Sequence, residues 1–88
     1  MKYNTYTQKK IEGIFEEIDF KVRYEKGNFQ SGYCLVENAK IVVINRFFDT
    51  EAKINCMLDI LSKITVDETM LEAKTLQFYK KLFALKKE

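Results

Sequence analysis

Ile11, Ile14, Phe15 and Ile18 return at the +3, +4 and +7 spacing of one helical face, with Lys9, Lys10, Glu12, Glu16 and Glu17 around the remainder. This pattern predicts an amphipathic helix over residues 5–18. Thr5-Tyr6-Thr7-Gln8 has the form of a capping box at its start, and Gly13 is a mild weakness inside it. The period then falls to two. Phe20, Val22 and Tyr24 alternate with Lys21, Arg23 and Glu25, as in a strand with one buried and one wet face. Lys26-Gly27-Asn28 is a turn signal, extended into a loop by residues 29–31. Gly32–Glu37 and Lys40–Asn45 read as two further strands joined at Asn38-Ala39, where Ala is poorer than the Gly that a type I′ turn prefers.

The third strand, Ile41-Val42-Val43-Ile44, is apolar on both faces, whereas the outer strand of a plain meander carries charge or a bulge against edge pairing. Three arrangements would cover it: a helix on each face, a strand order other than a meander, or pairing with a second copy of the chain. Asp49-Thr50-Glu51 supplies a cap and acidic groups for a helix over 50–64, with Ile54, Met57, Leu58, Leu61 and Ile64 on its buried face. Thr65-Val66-Asp67-Glu68 is a second capping box, which predicts a corner and a last helix over 66–86. There Leu71, Phe78, Leu82 and Leu85 form one line and Leu76, Tyr79 and Phe83 a neighbouring one, a wide apolar surface for a terminal helix. The whole reads as one α+β domain over residues 1–88. Its expected core is a three-stranded, mainly antiparallel sheet packed with three helices, in the order α-β-β-β-α-α, with helices on at least one sheet face.

Length agrees, since 88 residues support one core and no second. Composition narrows the chemistry more sharply. Without histidine there is no His-Glu-x-x-His zinc site, Ser-His-Asp triad or Cys-His dyad. Three glycines leave no phosphate-cradling loop, and no Asp/Asn/Glu run resembles a calcium loop. Carboxylates remain as acid or base candidates, but Glu16 and Glu17 are adjacent and point to different azimuths, and Asp59 reads as solvated. No catalytic residue, metal ligand or cofactor site is therefore expected.

The net charge of +2 makes no concentrated positive field. Residues 19–48 are the basic region, with five basic and three acidic side chains. Lys21, Arg23, Lys26 and Arg46 form a candidate nucleic-acid surface on the sheet, although Tyr24 alternates with the charges and so belongs to the core side. Lys80-Lys81 and Lys86-Lys87 complement the negative end of the last helix. Cys34 and Cys56, each within an apolar run, read as two buried reduced thiols of a cytoplasmic protein. The start of the chain has no apolar leader, and no stretch approaches the roughly 18 apolar residues of a membrane span.

Val22-Arg23-Tyr24-Glu25-Lys26-Gly27, Gly32-Tyr33-Cys34 and Val43-Ile44-Asn45-Arg46 before an amphipathic helix resemble a family of small uncharacterised bacterial α+β proteins of the Bacteroidetes type. The resemblance covers residues 19–64 and implies no activity. More distantly, a hairpin ending in Ile-Asn before a helix looks like the front of the ImmA/IrrE-type zinc peptidases. Their next helix holds His-Glu-x-x-His, whereas this one reads Ile54-Asn55-Cys56-Met57-Leu58-Asp59-Ile60-Leu61, so no ligand transfers. The likeness implies at most a scaffold without the chemistry. The leading expectation is a non-enzymatic interaction module that forms a homodimer through the third strand or the last helix, with Ile41, Val43, Phe78, Tyr79, Leu82 and Phe83 as contact residues. Nucleic-acid binding is the alternative.

Overall fold

In the computed structural model, which describes residues 2–26, 33–36 and 38–86, helix α1 spans Thr5–Glu17. Its cap is not the expected Thr5 but Asn4, whose Oδ1 accepts from Thr7 N at 2.9 Å. Asn is the stronger N-cap of the two, and its choice releases the Gln8 side chain for other partners. Ile11, Ile14, Phe15 and Ile18 are all buried. The helix ends in a Schellman arrangement: Phe20 N donates to Phe15 O at 2.8 Å and Asp19 N to Glu16 O at 3.1 Å. Asp19 takes the left-handed conformation there (φ 66°), a position glycine usually fills. The Phe15 and Phe20 rings meet edge to face at 6.1 Å and complete the motif.

Strands β1 (Lys21–Glu25), β2 (Tyr33–Val36) and β3 (Ile41–Asn45) form one sheet in the order β1-β3-β2. The expectation of a mainly antiparallel sheet in the simple α-β-β-β-α-α series is overturned. β3 lies parallel to β1, pairing Lys21 with Ile41 through to Glu25 with Asn45, and antiparallel to β2, pairing Tyr33 with Ile44 through to Val36 with Ile41. The longer ladder is the parallel one. The physical reason lies in the side chains. Lys21, Arg23 and Glu25 suit β1 to the rim, whereas β2 takes the other rim with no charge within the strand. Of the three ways to cover β3, the fold uses strand order. Parallel neighbours need a connection of about a dozen residues or more, and the chain between β1 and β3 meets this with β2 itself. The β2–β3 turn is also wider than expected, with β3 beginning at Ile41 and Lys40 left-handed (φ 52°).

Helix α2 (Thr50–Lys63) is capped by Asp49, whose Oδ1 accepts from Ala52 N at 2.8 Å. Ile54, Cys56, Met57, Ile60 and Leu61 are buried. Beyond it the expected continuous helix over 66–86 gives way to a 3₁₀ turn at Glu68–Met70 and then helix α3 (Ala73–Lys86). Asp67, not Thr65, holds that turn, accepting from Thr69 N at 3.0 Å and Thr69 Oγ1 at 2.6 Å. These bonds to the charged form lower the Asp67 pKa.

The molecule is α+β with three helices. α1 and α2 pack together and lie against β1 and β3, while α3 packs on α1. Val42 and Ile44 are fully buried beneath the helices, with Val22 and Tyr24 packed against the same core. Ile64, Val66 and Leu71 pin the corner before α3 to that core.

Candidate functional site

The alternation that buries Val42 and Ile44 turns Ile41 and Val43 to the opposite face of the sheet, where both are half-buried and outside the core cluster. Val36, paired with Ile41, is 41% exposed. Lys21 and Arg23 are exposed on the neighbouring strand, and Arg23 Nε binds Glu25 Oε2 at 2.9 Å. This face therefore has an apolar middle with a charged margin of both signs. Ile41 and Val43 are offered by a face and not by an edge, because both edges of β3 are already paired.

The other expected contact residues fare differently. Leu82 is buried in the core, and Phe78, Tyr79 and Phe83 are half-buried against it, with the Tyr79 and Phe83 rings 4.9 Å apart. Much of the apolar surface of α3 is thus spent within the chain. Of the basic candidates, Lys21 and Arg23 follow β1, whereas Arg46 lies past the far end of the ladder with its guanidinium 5.0 Å from the exposed Phe47 ring. Lys26 is exposed just beyond β1. Lys26 and Arg46 thus follow the same end of the parallel pair, Lys26 after the rim strand and Arg46 after the central one. Cys56 is buried, and burial followed by the nearby Asp59 charge raises its pKa, while the Cys34 side chain lies outside the described residues.

Two polar arrangements escaped the sequence reading. The Tyr24 hydroxyl donates to Glu12 Oε2 and accepts from Gln8 Nε2 at 3.0 Å, and Gln8 Nε2 also reaches Glu12 Oε2 at 3.2 Å. Lys53 Nζ stands 5.1 Å from the Tyr24 ring. Burial and then the Glu12 bond push the phenol pKa well above its usual value. The phenol stays protonated and donating, the opposite of an activated base, so the cluster ties α1 to β1. Elsewhere Glu17 accepts from Glu72 N at 2.8 Å through Oε1 and from Thr75 Oγ1 at 2.7 Å through Oε2. A side chain 55 residues away thereby supplies part of the cap of α3. Two acidic residues at the end of α1, unfavourable to that helix's own dipole, were the available signal.

The helix that the zinc-peptidase resemblance would make the ligand helix turns Ile54, Met57, Ile60 and Leu61 into the core. Among the described residues, no group of three or more His, Cys, Asp or Glu side chains is placed to hold a metal, and no helix is long and apolar enough to cross a membrane. No protein-family model, curated protein or solved structure matches the chain.

Proposed function

We propose that the chain is a non-enzymatic, cytoplasmic interaction module that forms a homodimer through the uncovered face of its sheet. The observation that carries this reading is the position of Ile41 and Val43, apolar side chains of the central strand left outside the core. A second copy suits the surface because Arg23 and Glu25 flank it. Two-fold apposition lets the Arg23 of each protomer meet the Glu25 of the other around a shared apolar centre. A chain of this size buries only somewhat over 60% of its unfolded surface, so burial between chains adds to a limited core.

Sedimentation equilibrium tests the reading. A dimer is expected at micromolar concentration, and Val43→Glu is expected to give a monomer with an unchanged circular dichroism spectrum. Wild-type protein that stays monomeric at high micromolar concentration overturns it, as does a dimer indifferent to Val43→Glu.

A further inference from the structure

A groove runs between α1 and α3. Tyr6, Lys10 and Gly13 line one wall and Lys74, Phe78 and Lys81 the other, each set at the +4, +3 spacing that keeps side chains on one helical face. Lys2 extends the groove towards the start of the chain. Lys10 Nζ lies 4.7 Å from the Phe78 ring centroid and 5.2 Å from that of Tyr6, so one ammonium is held between two aromatic faces. No ion pair links Lys2, Lys10, Lys74 or Lys81 to a carboxylate among the described residues. Gly13 leaves the floor open, since a Cβ built there would meet nothing within 4 Å.

We infer that this groove binds an acidic peptide segment of a partner protein, its carboxylates on the lysines and an apolar side chain over Gly13. Four cations around a recessed, partly aromatic floor are complementary to carboxylates interleaved with apolar groups. Single-stranded nucleic acid fits less well. Its bases need free ring faces for stacking, and Lys10 already occupies the faces of Tyr6 and Phe78. Lys81, which the sequence reading assigned to the helix dipole, here lines the groove instead.

Fluorescence anisotropy with a labelled peptide of alternating Glu and Leu tests the inference, alongside an oligothymidylate of equal charge and phosphatidylserine vesicles. The peptide is expected to bind, more weakly as salt rises, and Lys10→Glu with Lys74→Glu is expected to weaken it by at least about tenfold. Lys40→Glu, on the distant hairpin turn, is expected to leave it unchanged. Gly13→Leu fills the floor while improving helix propensity. It is expected to lower affinity without loss of fold, which decides the matter should the charge reversals fail to fold. Absence of peptide binding at millimolar concentration overturns the inference. So does affinity untouched by the Lys10/Lys74 or Gly13 variants, tighter binding of the oligonucleotide or vesicles, or a change in oligomeric mass on Lys10→Glu with peptide affinity unaltered.

Discussion

Ile44 and Ile41 stand three residues apart on one strand with the same side chain, and only Ile44 belongs to the core. Ile44 is fully buried beneath helices that α1 and α2 supply, whereas Ile41 faces away from them, half-buried. Intrinsic strand propensity is equal at the two positions, so the difference comes from what lies overhead. An apolar pattern on both faces fits the central place of β3, although β2, equally free of charge, lies at an edge. It does not by itself signal two covered faces.

The contrast is open to direct test. The largest effect is expected at Ile44→Ala, which should cost about 2–5 kcal/mol as a core truncation, whereas Ile41→Ala should cost about 1 kcal/mol or less in the monomeric background. Urea midpoints measured on Val43→Glu protein check both, and equal losses would show that the second face is packed after all.

Tyr24 sharpens the comparison at the wet margin of the covered face. Tyr24→Phe removes the phenol and leaves Gln8 and Glu12 without that partner, an expected loss of about 1–2 kcal/mol. Its raised pKa adds a pH signature. The folded state holds the proton more tightly than the unfolded chain, so the contribution is complete below the ordinary tyrosine value of about 10. It is lost as pH climbs through the folded value. Urea midpoints on either side of that pH should fall less in Tyr24→Phe than in the wild type.

Glu17→Ala asks whether α3 depends on the rest of the covered layer. It should cost about 1 kcal/mol through loss of a cap, with amide exchange accelerated in the first turn of α3 around Leu76 while β3 keeps its protection. The smallest effect is expected at the turn that aims α1 over the sheet. Asp19→Gly relieves a left-handed non-glycine residue and should stabilise by about 0.5–1 kcal/mol, read as a rise in the thermal midpoint.

What could be foreseen was local. The Ile11, Ile14, Phe15 and Ile18 face of α1 and the Asp49 cap of α2 depend on neighbours within one or two turns, and both were legible. The first cap was misplaced by one residue because Asn4 and Thr5 are both competent acceptors and only the backbone path chooses between them. Strand order was not legible as a pairing pattern, because β1 and β2 compete for the same partner and alternation does not say which edge each takes. The charges on β1 held the clue. The role of Glu17 left no periodic trace, since its carboxylate bonds across 55 residues, and only its unfavourable place at the end of α1 pointed to it. At the candidate interface, Ile41 and Val43 were named from their oily pattern, yet the reason given was an edge, while the structure presents them on a face. The basic groove was missed because Lys10 and Lys74 belong to separate helices whose packing angle no local pattern encodes.

The central strand is also the last one synthesised. A nascent chain that has left the ribosome only as far as the turn before Ile41 carries two strands that do not bond to each other, and α2, which packs on both α1 and β3, is not yet made. Loop closure must wait for the whole hairpin, so neither ladder of the sheet can form before β3 is made, and the oily faces of the early segments remain accessible to chaperones until then.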